Sequence, residues 1–249
     1  MENLSRCTKG RLDIAVMNTK ELRKAGIKQL LLTCFMLILQ MTIFFVPAGH
    51  VLMLRPWIFF SASFAHYSVS TAVQCRLNPE LLIQRLKRRR EGSKLWDEIL
   101  MRVSNLTALI PVPAIAGLDI GRFHWSNIDA HLAIIGLVLF AISTVLLNWA
   151  MIANPYFDPT VRIQKDRGKK TITNGPYRIV RHPGYLAGIF YILSIPLIIG
   201  SAFTFIPAGI YAFLTIIRTS LEDSTLCKEL DGYSEYTKRV RYRLFPGIW

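Results

Sequence analysis

Long apolar runs separated by basic, polar segments organise this chain. "IKQLLLTCFMLILQMTIFFV" (residues 27–46) carries one charge, in its first turn. At about 1.5 Å per helical residue it matches a hydrocarbon core of roughly 30 Å. Residues 51–73 read as a second span, with Arg55 and Pro56 near its start. Residues 99–120 form a weaker third, with Arg102 at one end and Pro111 and Pro113 placed to kink it. Residues 130–152 contain no Lys, Arg, Asp or Glu and make the fourth. Residues 185–218 are too long for one span. Pro196, Gly200 and Ser201 near their middle predict a tight hairpin of 185–199 and 202–217. The expected fold is all-α: a polytopic integral membrane helical bundle of about six spans, or five with one re-entrant half.

Charge orients those spans. Lys and Arg favour the cytoplasmic side of short loops. Six precede residue 27, seven lie in 74–98, seven in 153–183 and six from 218 onward. The other side has Arg122, with Arg55 close to it. Twenty-six against two places both termini in the cytoplasm. The chain then reads as a multi-pass protein of a cell inner membrane or the endoplasmic reticulum. A five-span count would leave the tail on the wrong side.

The remaining composition narrows the field. Apolar residues are 52% of 249, and the net charge is +14. That charge fits loops meeting anionic headgroups, and no basic stretch sits in a nucleic-acid recognition module. The first 26 residues are polar and basic rather than a signal peptide. Four widely spaced cysteines argue against a disulfide framework or a metal site.

The concentrated polar chemistry lies in "GPYRIVRHPGYLAG" (residues 175–188). Gly175-Pro176 marks a turn, and Pro183 pushes His182 towards extended geometry before opening a helix. That helix start presents free N–H groups at the membrane surface, with Arg178, Arg181 and His182 beside it. It suits an anionic or multiply hydroxylated ligand, or lipid phosphates. Further on, Arg218 and Glu222 stand four apart on one helix face, as an intrahelical pair or as site residues. Asp223 adds a carboxylate that needs donors if buried. Tyr233 and Tyr236 follow, then a basic helix face of Lys238, Arg239, Arg241 and Arg243, and a closing "PGIW".

The run from "NPYF" through "GPYRIVRHPGY" and "RTSLED" to "GYSEYTKRVRYRLFPGIW" resembles the isoprenylcysteine carboxyl methyltransferase family, related to the phospholipid N-methyltransferases. The resemblance is strong over 154–249 and reaches weakly to 78–100. It implies S-adenosyl-L-methionine as cofactor. Tyr177, His182, Pro183, Gly184, Tyr185 and Glu222 would contact it, with Lys169, Lys170, Thr171 and Ile172 from the segment before "GPY" and Gln164 beside them. Arg218 would face the acceptor carboxylate, making Arg218 and Glu222 the catalytic pair. No metal is expected. The implied organisation is an arm (1–26), four spans shaping the acceptor site (27–152) and a catalytic region (153–249).

The chemistry agrees. Methyl transfer from a sulfonium requires alignment and a dry site. Tyrosine faces can hold the cation, and an ionised carboxylate acceptor needs an arginine rather than a base. An amine acceptor would need His182 as base. His50, His66, His124 and His131 lie in or beside spans towards the opposite side and read as structural. "HYSVSTAVQC" (residues 66–75) is expected to shape the tunnel of a lipophilic acceptor. The competing readings are an NADPH-dependent sterol or isoprenoid reductase and a non-enzymatic transporter or assembly protein.

Overall fold

The computed structural model describes residues 19–86, 92–161 and 170–249, and these are helical with no strand among them. The helices are α1 (Thr19–Ala48), α2 (Leu54–Leu77), α3 (Pro79–Leu86), α4 (Leu95–Leu109), α5 (Pro111–Gly117), α6 (Leu132–Ala153), α7 (Pro183–Ile199), α8 (Phe205–Glu229) and α9 (Tyr233–Arg239). Each apolar run of the sequence is one of these helices, or two where Pro111 or Gly200 intervenes. Three stretches are long and apolar enough to cross a membrane: Glu21–Ala48, Leu95–Phe123 and Leu132–Ala153.

Prolines and glycines set the breaks. The third run is interrupted at Ile110, where Pro111 restarts the helix as α5, and a π-helical turn (Leu118–Phe123) follows. Pro111 and Pro113 have no N–H to continue the ladder of α4. The hairpin forms where expected. Gly200 ends α7 with φ +101°, a left-handed conformation that glycine adopts without strain.

Close backbone approach holds the bundle. A Cβ on Gly117 would lie 2.1 Å from the Phe44 carbonyl oxygen, and one on Gly121 would lie 2.4 Å from the Ala48 side chain. These two glycines, four apart, let α5 and the turn after it lie directly on α1. The central core joins Phe44, Phe59, Phe60, Phe140, Ile192 and Ile198 from four helices. The most extensive helix pair is α6 with α7, while α4 and α8 pack together towards the polar end. Apolar side chains such as Leu31, Phe35, Ile38, Ile134 and Val145 face outward, as a lipid-facing belt requires.

At one end of the bundle, buried polar groups are closed off. Arg55 donates from Nε to Ile198 O (2.8 Å), from Nη2 to Leu197 O (2.6 Å) and from Nη1 to Ile128 O (2.7 Å). It therefore caps the last carbonyls of α7. Asp119, fully buried, accepts from Ser126 N (2.8 Å), Ser126 Oγ (2.6 Å) and Ser201 Oγ (2.5 Å). Phe123 and Trp125 stack at 4.7 Å beside this end, both half exposed. Arg55 is thus committed to backbone carbonyls, which weakens a transporter reading that would need it along a path.

Candidate functional site

At the other end, the chain after α6 folds back over the start of α7 and the end of α8. Pro183 occupies the first position of α7 and His182 is its N-cap. Gly175, with φ +58°, opens a 3₁₀ turn (Gly175–Arg178) that turns Tyr177 inward. Asn154 Nδ2 donates to the Tyr177 hydroxyl (3.0 Å), and the Tyr236 hydroxyl donates to the Tyr177 carbonyl (2.6 Å). Thr171 Oγ1 donates to Asp231 O at 2.9 Å, tying the preceding loop to the α8–α9 connection.

The C-terminal segment closes over the same region. Arg181 N donates to Tyr242 O (2.9 Å) and His182 N to Arg243 O (3.0 Å). The helix in this segment ends at Arg239, so Arg241 and Arg243 do not continue the basic helix face expected from the sequence. Arg243 turns inward, because a buried carboxylate attracts it and Leu244 beside it is fully buried.

That carboxylate is Asp223. It accepts from Arg181 Nη2 (3.0 Å), Arg243 Nε (2.9 Å) and the Tyr233 hydroxyl (2.9 Å), and it pairs with His182 Nε2 at 3.1 Å. Burial works to raise its pKa. Hydrogen bonding and charge from His182, with bonds from Arg243 and Tyr233, outweigh burial and hold the carboxyl below the usual range. Burial pushes the phenols of Tyr177 and Tyr236 above theirs; for Tyr233, burial and then the Asp223 charge do the same. These three tyrosines are therefore neutral at physiological pH.

Between these elements lies a cleft with about 740 Å³ of atom-free space, its open mouth included. Lys170, Thr171 and Ile172 border it from the loop, and Tyr177 from the 3₁₀ turn. His182, Pro183, Gly184 and Tyr185 border it from the start of α7, and Glu222 from α8. Nine of the residues expected to contact the cofactor are thus brought to one cavity. Gln164 and Lys169 lie outside the described residues. Glycine at 184 is a packing requirement, since a Cβ there would meet the Phe157 ring at 2.6 Å. The His182 and Tyr185 rings stack at 5.7 Å, and the Tyr185 hydroxyl donates to Glu222 at 2.5 Å.

Arg218 sits one layer deeper. The intrahelical pair with Glu222 is not what forms. Arg218 instead donates from Nε to Asp97 Oδ1 (2.5 Å) and from Nη2 to Asp97 Oδ2 (3.1 Å) and Pro159 O (2.5 Å). Asp97 is fully buried and also accepts from Val161 N at 2.7 Å. The Arg218 guanidinium lies 5.1 Å from the Tyr185 ring centre. A chain of contacts therefore runs from Asp97 through Arg218 and Tyr185 to Glu222.

Sequence reasoning left several wall residues unassigned. Asp97 carries no local signal, because its partner is 121 positions away. Tyr233 and Tyr236 were visible in "GYSEY" but had no stated role, and both border the cleft. Arg181, expected from the sequence as a donor beside the helix start, borders it too, and its buried Nε has no hydrogen-bond partner. Arg178 is exposed and does not border it.

Residues 132–230 match the family model described as phospholipid methyltransferase. No curated protein matches the chain. The match covers α6, α7, α8 and the loops between them. The isoprenylcysteine carboxyl methyltransferases read from the sequence belong to that same family, so the recognition holds at this level.

Proposed function

We propose, taking residues 132–230 as a phospholipid methyltransferase-type region, that this chain is an S-adenosylmethionine-dependent methyltransferase acting on a lipophilic acceptor at a membrane surface. The observation that carries the reading is the single cleft into which the "GPY" turn, the "RHPGY" helix start and Glu222 all open. Six spans, cytoplasmic termini and a cytoplasm-facing cleft follow from the distribution of basic residues. On this reading residues 153–249 are the catalytic region and the earlier helices shape the acceptor site.

The cleft fits such a cofactor. When bound, it supplies an electrophilic methyl group on a sulfonium. The neutral faces of Tyr185, Tyr233 and Tyr236 suit a cation. Glu222 can accept from hydroxyl or ammonium groups, and the unpartnered Arg181 Nε can donate to a carboxylate. Lys170–Ile172 and the C-terminal roof keep water from the reacting atoms.

Arg218 is the acceptor-positioning residue. Its bonds to Asp97 and Pro159 use Nε and Nη2, and none engages Nη1. A bidentate clamp on Asp97 fixes the guanidinium plane, so Nη1 can orient an acceptor carboxylate from below Tyr185. A carboxylate acceptor is already nucleophilic, and no residue has to remove a proton. The carboxyl O-methyltransferase type is favoured for that reason. An amine acceptor would draw on His182, whose Nε2 is engaged with Asp223 at 3.1 Å.

Calorimetry of the purified protein in detergent tests this reading. S-adenosylmethionine is expected to bind and NADPH is not. Glu222→Gln and His182→Ala should each remove binding. NADPH binding in place of the methyl donor would transfer the chain to the reductases.

A further inference from the structure

One face of α2 carries polar groups that neither the cleft nor the helix packing uses. Ser63, His66 and Ser70 follow at spacings of three and four, so they stack over about 10 Å of helix. None is more than 5% exposed. Yet His66 Nδ1 and Ser70 Oγ have no hydrogen-bond partner, and Ser63 Oγ lies beside the Tyr191 hydroxyl short of a formed bond. Polar side chains that serve only the helix behave differently here. Thr42, Thr71 and Thr144 each donate to the carbonyl four residues back, at 2.8–2.9 Å.

Leaving one buried polar group unmade costs about 1–3 kcal/mol. Several on one buried helix face call for a partner.

The stripe lies below the site. The His66 ring is 6.2 Å from the Tyr191 ring and 5.9 Å from Phe140, and the Tyr67 hydroxyl donates to the Tyr191 hydroxyl at 3.4 Å. Tyr191 is six residues, about 9 Å, down α7 from Tyr185. Tyr211 is seven residues, about 10 Å, down α8 from Arg218. Its hydroxyl approaches α7 so closely that a Cβ on Gly188 would meet it at 3.5 Å. Hydroxyl-bearing rings therefore stand between Arg218 and Tyr185 and the stripe.

We propose that this stripe binds an oxygen function within the acceptor's chain, and that the acceptor is an oxygenated lipid rather than an all-hydrocarbon isoprenoid or acyl chain. The inference rests on the acceptor reading given above. With the carboxylate at Arg218, a hydroxyl, keto or ester oxygen about 10 Å further along the chain reaches His66 and Ser70. Serine can donate or accept there, and the imidazole can do either according to its tautomer.

Equilibrium binding in detergent, with S-adenosylhomocysteine saturating, compares stearate, 2-hydroxystearate and 10-hydroxystearate. Wild type should bind 10-hydroxystearate about fivefold more tightly than the other two. His66→Leu with Ser70→Ala should remove that preference, while S-adenosylhomocysteine affinity stays within about twofold and reports an intact fold. If the double variant does not fold, Ser70→Ala alone should still reduce the preference. Equal binding of stearate and 10-hydroxystearate by wild type, or a preference that survives in the variants, overturns the inference and leaves the proposed function standing. Water alone in the stripe would give that equal binding. If no fatty acid binds although S-adenosylhomocysteine does, the carboxylate acceptor reading fails and this inference falls with it.

Discussion

The two ends of α7 present buried charge in opposite ways. At its C-terminal end, Arg55 is spent on three backbone carbonyls and Asp119 on a backbone amide and two serine hydroxyls. At its N-terminal end, Asp223 gathers four side chains, and three of them, Arg181, His182 and Tyr233, also border a cleft. A charge satisfied by backbone within its own fold has little left to offer a ligand. A charge satisfied by side chains that themselves line a cavity organises a surface. The first end holds the hairpin together, and the second holds residues in position around a space.

Substitutions should separate these two kinds of network. The largest effect is expected from Glu222→Ala, which leaves the Asp223 hub intact. Cofactor affinity should fall by two orders of magnitude or more with the melting temperature nearly unchanged, as calorimetry and a thermal shift would read. Arg55→Leu should do the reverse. It strands three carbonyls at about 1–3 kcal/mol each, less what relaxation recovers, so the melting temperature should drop sharply while surviving protein binds the cofactor normally. Asp97→Asn should sit between them: cofactor affinity within about threefold, but methyl transfer from labelled S-adenosylmethionine into a lipid extract reduced at least tenfold, with partial rescue by Asp97→Glu. Loss of cofactor binding in that variant would show that Arg218 serves the cofactor rather than the acceptor.

The smallest effect concerns acid. Asp223 has a depressed folded-state pKa, so its stabilisation is fully present above the unfolded value of about 4 and is lost as pH falls towards the folded value. Below about pH 4 the wild type should lose stability more steeply than Asp223→Asn, whose own destabilisation should be nearly flat with pH. Parallel acid limbs for the two proteins would mean that this carboxylate is not the titrating group.

Much of the architecture was legible because membrane helices announce themselves by length and apolarity. The Pro111 interruption, the Gly200 turn and the Pro183 helix start follow from single residues with restricted backbones. The cleft was legible in part, since "GPY" and "RHPGY" are local and Arg218 and Glu222 are one turn apart. What sequence did not disclose are pairings across long separations. Asp97 and Arg218 are 121 positions apart, Arg55 and Ile198 143, and Asp119 and Ser201 82. Each pairs because the bundle brings two ends together, which no local pattern encodes. Arg243 shows the same point in reverse: its spacing suggested a basic helix face, and the buried Asp223 drew it inward.

The reach of Asp97 has a practical consequence for protein engineering. Asp97 lies on α4, and Tyr233, Tyr236 and Arg243 lie beyond residue 230, so the matched stretch is not a self-sufficient cassette. Transplanting residues 132–230 into a foreign bundle would carry the cleft's inner wall without its brace or its roof. A working chimera would have to bring α4 and the C-terminal segment along.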